Sequence, residues 1–392
     1  MSDLQFTISR EAFTEATNWV ARSLSSNPRH PILAGIRIQA RTEDEWGPQG
    51  LHLSVFDYEV AAQSTAPAEV ATAGVVVVSG HLLQAIGKVL PKKPVEFSLN
   101  GSTVTVVCGA AEFTLPTMPA DEYPGLPVSP EPQGSVDAAL FAEAVAQVLP
   151  AVYRDKGNEV LKSVCANIGG DDVLTLTATD RHCVATRRIP WTSRAPGVQA
   201  RMVLPPRTLS DAPGLGDGDE IDWSFPVPAN VLSFSGGHRR MFTQLLAGEY
   251  PDIDRLFPTE YTAVATVKAA DLAGPLSRVL VLDARDFPTV KLEFETDVVH
   301  VSGGTVVGGV REDVPVGYVG DPMTIWVHPR LLLQGLNATN AASVLIGLSA
   351  PLRPLTVVAY SAGYELGGPG PFPAFDDDFR YLLVPQRPQN TN

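Results

Sequence analysis

The chain repeats itself. Three stretches, GLHLSVFDYEVAAQ (Gly50 to Gln63), VLTLTATDRHCVAT (Val173 to Thr186) and VVHVSGGTVVGGV (Val298 to Val310), each read as an alternating strand, a short turn and a second strand, and they start about 125 residues apart. One hairpin means little, but the flanks repeat in the same order. A helical stripe precedes each: Arg10 to Leu24 with Phe13, Ala16, Val20 and Leu24 on one face, Asp137 to Val148 with Leu140, Phe141, Ala144 and Val148, and Lys268 to Leu280 with Leu272, Leu276 and Val279. A strand running into a second helix follows each: Val75 to Leu90, Met202 to Ala212 and Thr324 to Leu336. Ser79 is placed to cap one of these helices, and Pro206 and Pro329 stand where a first turn tolerates proline. The first two units close alike, on DEYPGLP (Asp121 to Pro127) and GEYPDIDRLFP (Gly248 to Pro258). Three tandem α+β modules follow, at 1–127, 134–258 and 262–392, joined by the proline-rich VSPEPQGS (Val128 to Ser135) and by PTEYT (Pro258 to Thr262).

Such modules need not be catalytic, and the usual enzyme signatures are missing: no GxxxxGK[ST], no GxGxxG after a strand, no HExxH, no GxSxG at a strand-to-helix turn. Cys108, Cys165 and Cys183 are widely spaced, with no CxxC and no histidine at ligand spacing, so they read as reduced, buried thiols with no zinc site and no cofactor. No apolar run reaches a membrane span, and MSDLQFTISR lacks the basic-then-apolar pattern of an export signal, so a cytoplasmic protein is expected. The net charge of −14 argues against a protein that coats nucleic acid, without excluding a locally basic surface.

The stretch TLTATDRHCVATRR (Thr175 to Arg188) sets an aspartate, an arginine, a histidine and a cysteine side by side. Along a strand His182 and Cys183 leave on opposite faces, which disfavours a Cys/His dyad. A Cys-dependent hydrolase would have to pair Cys183 with a distant histidine such as His238 or His300, and the spacing offers no support.

HPILAGI (His30 to Ile36), FTLPTMPADEYPGLP (Phe113 to Pro127), TATDRHCVA (Thr177 to Ala185) and YLLVPQR (Tyr381 to Arg387), in that order, resemble the bacterial DNA polymerase III beta subunit, the sliding clamp, in an actinobacterial-like form. The resemblance runs from about Leu4 to Pro388. It implies three DNA-clamp modules, each two helices packed on antiparallel sheet, and a head-to-tail homodimer closing a ring around double-stranded DNA. A ring holds DNA by enclosure and needs only weak contacts, so an acidic exterior is no obstacle. Candidate cations for the inner surface are Arg22, Arg29, Lys88, Arg154, Lys156, Arg207, Arg278 and Arg330; none sits in a base-reading motif. The resemblance puts the dimer contact at Phe113 and Leu115, on a strand that would otherwise be an exposed apolar edge, against Val281 and Leu282.

It also implies an apolar groove for linear peptides of DNA polymerase, clamp loader and repair proteins. Carried over, its lining is Val160, Thr179, Arg181, His182, Cys183, Val184, Pro258, Phe287, His328, Leu331 and the tail Leu383, Val384, Pro385, Gln386, Arg387 and Pro388. The family usually has arginine where Cys183 stands, Leu-Pro at Asn158 and Glu159, Asn and Tyr at His328 and Leu331, and a tail closer to Met-Pro-Val/Met-Arg-Leu. These departures cluster in the groove. They suggest a second-copy clamp that refuses a groove-binding antibiotic; lineage variation and a scaffold ring that no longer encircles DNA are the alternatives.

Overall fold

The computed structural model describes the chain except residues 1–3, 26, 43–48, 216–217, 227–229, 284, 286, 306–307, 361–370, 374, 376 and 388–392. Six α-helices are described: α1 (Arg10–Ala21), α2 (Gly80–Val89), α3 (Ala138–Val148), α4 (Pro206–Asp211), α5 (Ala269–Leu282) and α6 (Pro329–Ala338). They come as the expected pairs, one pair per repeat. α1 starts where Ser9 Oγ accepts the Ala12 N–H (3.2 Å), and it buries Phe13, Ala16, Trp19 and Val20 as the stripe requires. It stops three residues short of Leu24, because the N–H groups of Arg22, Ser23 and Leu24 bond three residues back and tighten the chain into a narrower turn. Ser79 occupies the N-cap position of α2, but its side chain makes no capping bond, which corrects that expectation. Pro206 and Pro329 open α4 and α6 as expected.

The chain forms two compact units. One comprises residues 1–139, 191–198 and 207–245, and the other 140–190, 199–206 and 246–392. The first is built on a fourteen-stranded sheet. Strand Arg239–Gln244, from the second repeat, pairs antiparallel with Val60–Ala66 from the first, so backbone hydrogen bonding runs on past the end of a repeat. α1 and α2 pack against each other, and α1 lies on strands Gly50–Phe56 and Val60–Ala66 over the stacked rings of Phe6 and Phe97.

The second unit has a nine-stranded and a four-stranded sheet. In the larger, Cys183–Pro190 pairs with the late strand Phe379–Leu383, which pairs in turn with Leu355–Ala359. The smaller contains Val290–Phe294, Val298–Thr305, Gly308–Pro315 and Met323–Val327. α5 and α6 pack together, and α6 approaches strand Phe379–Leu383 so closely that a Cβ at Gly335 would run into the Tyr381 ring. Among the described residues no helix is long and apolar enough to cross a membrane, and no cluster of His, Cys, Asp or Glu could hold a metal ion.

Candidate functional site

The DRHC stretch is a tight turn between strands Val173–Thr179 and Cys183–Pro190. Asp180 makes it: one carboxylate oxygen accepts the N–H groups of His182 (2.8 Å) and Cys183 (2.7 Å). Thr179 Oγ1 donates to the Cys183 carbonyl (2.6 Å) and accepts the Arg181 N–H (3.1 Å). This network forces Arg181 to φ +77°, a left-handed conformation that side chains other than glycine seldom take. Its guanidinium lies 4.6 Å over the Tyr153 ring and donates to the Tyr153 hydroxyl at 2.6 Å.

The two neighbours then point apart. His182 is exposed, with its ring 6.2 Å from that of Phe287 and edge-on, whereas Cys183 is fully buried. Burial, followed by the nearby Asp180 carboxylate, pushes the Cys183 thiol far above its ordinary value, and burial raises Cys165 as well. Neither thiol is poised as a nucleophile.

Residues 383–386 are bound alongside. Cys183 stands opposite Leu383, the Val384 N–H donates to the His182 carbonyl (2.8 Å), the Gln386 N–H donates to the Trp326 carbonyl (2.7 Å), and Thr289 Oγ1 donates to Gln386 Oε1 (2.6 Å). Val184 and Leu382 join a buried cluster with Cys165, Val203, Tyr250, Ile253 and Phe257, against which half-buried Val160 packs. Asn158 holds the approach to Val160 by accepting the N–H groups of Val160 and Leu161. Phe287 is left 60% and Val384 38% exposed, and Arg181 and His182 are exposed beside them.

Of the expected lining, the structure thus brings together Val160, Thr179, Arg181, His182, Val184, Phe287, Val384 and Gln386. Thr179, Cys183, Val184 and Leu383 are buried and back this surface from within. Pro258 is half-buried after the short turn Asp254–Leu256; His328 stands at the N-cap of α6 and Leu331 in its first turn, both half-buried. Pro385 is half-buried, Arg387 is exposed, and Pro388 lies outside the described residues. Tyr153 was missed, since nothing in LPAVYRD marks an aromatic that will meet an arginine far along the chain. Asp180, by contrast, is legible in the sequence: an aspartate at the end of the alternating stretch Val173–Thr179 opens the turn, and the structure shows it doing so.

The candidate inner-surface cations differ in freedom. Arg29, Lys88, Arg154, Lys156 and Arg330 are exposed. Arg22 lies 5.6 Å from the Trp19 ring centre, and Arg207 donates to the carbonyls of Arg22 and Leu24, tying down the chain after α1. Arg278 is held by both carboxylate oxygens of Glu312, which offsets its charge.

In the first unit, strand Ala111–Met118 pairs over residues 111–116 with Thr103–Cys108, but on its other side only Thr117 and Met118 find described partners. Residues 111–116 are therefore a free edge there. Phe113 and Leu115, with Leu82, Ile86 and Val89 of α2, line an apolar recess of about 370 Å³, and Val89 is 69% exposed. In the second unit, Val281 is 81% and Leu282 41% exposed at the end of α5, which Asp283 closes; the Arg285 guanidinium holds that carboxyl below its usual range.

Three family models match in tandem: DNA polymerase III beta subunit, N-terminal domain at 4–127, central domain at 135–252 and C-terminal domain at 254–363. The chain is 36% identical over 389 residues to the beta sliding clamp of Streptomyces coelicolor, covering 98% of this chain and 99% of that one. It is 35% identical over 387 residues to the beta sliding clamp homolog GriR of Streptomyces muensis, covering 98% and 99%. A DNA polymerase sliding clamp from Bacillus subtilis matches in structure at TM-score 0.87 and 23% identity, covering 99% of this chain and all of that one. A Pseudomonas aeruginosa sliding clamp bound to griselimycin matches at 0.86 and 20% identity, covering 98% and 99%.

Proposed function

From the premise that this chain belongs to the DNA polymerase III beta-subunit family, the sliding clamps, we propose that it works as a cytoplasmic, non-catalytic ring whose groove beside Thr179–Val184 tethers DNA polymerase. The three modules take the limits 1–127, 134–258 and 262–392. Two chains join head to tail, the free edge at 111–116 and its apolar recess receiving Val281 and Leu282 of the second copy. Exposed cations such as Lys88, Arg154, Lys156 and Arg330 then face the enclosed duplex and touch phosphates without reading bases. The buried, raised thiols Cys165 and Cys183 favour this reading over a hydrolase.

The observation that carries the groove is the segment 383–386 bound beside the DRHC turn, with Phe287 and Val384 left open to solvent. Two or three apolar anchors buried there, each contributing about 1.5–3 kcal/mol, are enough for micromolar capture of a short peptide. The lining differs from the family pattern at Asn158, Glu159, Cys183, His328 and Leu331, with Cys183 withdrawn inside. We therefore read it as a remodelled groove, one that keeps polymerase peptides and weakens a groove-binding cyclic peptide such as griselimycin. Loader-dependent primer extension on circular templates tests the clamp: processive synthesis is expected, and distributive synthesis would mark a scaffold ring. Titration of a polymerase-derived peptide and of griselimycin tests the groove; ordinary affinity for both would remove the remodelling.

A further inference from the structure

In the first unit, strand register sets a polar rung across five strands. Arg37 faces Ser54, Ser54 faces Gln63, Gln63 faces Arg240, and Arg240 faces Ser235. One step along, Gln39 faces His52. Residues two apart on a strand share a face, so these side chains leave the sheet together. They border a cavity of about 380 Å³ whose ionisable lining is Arg37, His52, His238, Arg239 and Arg240, with no carboxylate among the described residues.

That composition is unexpected in a chain with 43 acidic residues against 29 basic ones. Glu15 lies against Arg239 and His238 and offsets charge at that end. Among the described residues the Arg37 guanidinium bonds the neutral Gln39 Oε1 (3.1 Å), and neither Arg37 nor Arg240 has an acidic partner. The field is correspondingly positive. His52 is held below its ordinary value by burial, then by Arg41 and Arg37; burial lowers Arg37 too, and only Tyr123 opposes it. A half-buried guanidinium without a counter-charge is costly, and an anion supplied from outside relieves that cost.

We propose that this face of the sheet binds a small phosphorylated anion, of the size of a nucleoside diphosphate or triphosphate, gripped between Arg37 and Arg240. Three strand spacings put the two backbones about 14 Å apart, a gap that the two side chains can span over Ser54 and Gln63 to meet a group the width of a diphosphate once Arg37 exchanges Gln39 for it. Guanidinium forks fit phosphate oxygens, and the Gln63 amide and Ser235 hydroxyl supply neutral donors. An acidic peptide fits less well, because Leu53 and Leu126 are the only large apolar residues in the lining and Leu53 is itself buried. The site is separate from the groove and from the free edge, so it stands whether or not those assignments hold.

Calorimetric titration of the full-length protein with inorganic pyrophosphate, inorganic triphosphate and ADP, in phosphate-free buffer at low salt, tests it. Saturable binding at one site per chain is expected, and R37Q/R240Q should weaken it at least about tenfold, the loss of two charge-assisted contacts, while R353Q, at an exposed position elsewhere, leaves it unchanged. Equal affinity for pyrophosphate and ADP assigns recognition to the phosphates alone, and tighter ADP binding assigns a nucleotide; either supports the site. If the double variant fails to fold, R240Q alone gives the reading, since Arg240 is exposed. Absence of saturable binding at millimolar ligand, or binding that the arginine substitutions leave intact, overturns the proposal.

Discussion

Arg181 shows what a single backbone angle costs and what holds it. At φ +77° an arginine is strained by about 1–2 kcal/mol relative to glycine. The strain persists because Thr179 and Asp180 fix the turn and Tyr153 holds the guanidinium. Removing the side chain while keeping a Cβ should therefore differ from removing both. Arg181→Ala loses the Tyr153 contact and keeps the strain, and should destabilise by about 1 kcal/mol, whereas Arg181→Gly sheds the strain as well and should be close to neutral. Urea unfolding of the two variants checks this; an alanine variant as stable as the glycine variant would show that the turn is not strained. The turn itself rests on Asp180, whose oxygen serves two N–H groups. Asp180→Ala should cost about 1–3 kcal/mol and speed hydrogen exchange at His182 and Cys183 before any other part of the sheet, which exchange mass spectrometry can follow.

At the scale of elements, what can be read from the sequence divides by how local the cause is. α1, α3 and α5 were legible from their apolar spacing, because one face of a helix is a property of a dozen neighbouring residues. The opposite exposure of His182 and Cys183 was legible from strand alternation. The pairing of Arg239–Gln244 with Val60–Ala66, and of Cys183–Pro190 with Phe379–Leu383, was not, because backbone hydrogen bonds carry no side-chain identity and any adjacent edge could have served. The exposed edge at 111–116 lies between these cases: its alternation was visible, and its lack of a described partner needed the structure. A recess holding Phe113 and Leu115 and a helix end showing Val281 and Leu282 are both apolar surfaces that water disfavours. Val281→Glu with Leu282→Glu should leave the melting temperature of each chain nearly unchanged, since both sites are exposed, yet shift sedimentation from dimer to monomer. A double variant that still sediments as a dimer would move the interface elsewhere.

Over the whole molecule, the three repeats supply a set of buried phenols and thiols whose protons the fold retains. Burial pushes Tyr123 and Tyr318 up to about 12, and also raises Tyr250, Tyr381, Cys165 and Cys183. In the unfolded chain the thiols lose their protons near about pH 8.5 and the phenols near about pH 10. Each of these groups has its folded value above its unfolded one, so its contribution to stability is complete below the unfolded value and is lost as pH rises toward the folded one. Stability should hold to about pH 8 and then fall steadily toward about pH 12, the thiols acting first and the phenols after them. Urea midpoints measured from neutral to about pH 11 should drop along that course with little change in slope, because the surface exposed on unfolding is the same. Phenolate absorbance gives an independent reading: at about pH 10.5 the native protein should show a smaller ionised fraction than the urea-unfolded chain. The two measurements are linked, since the protons withheld by the native state are those whose release drives unfolding. A midpoint that stays flat while phenolate absorbance matches the unfolded chain would mean that water reaches these side chains, and that the sheets are packed more loosely around them than their burial implies.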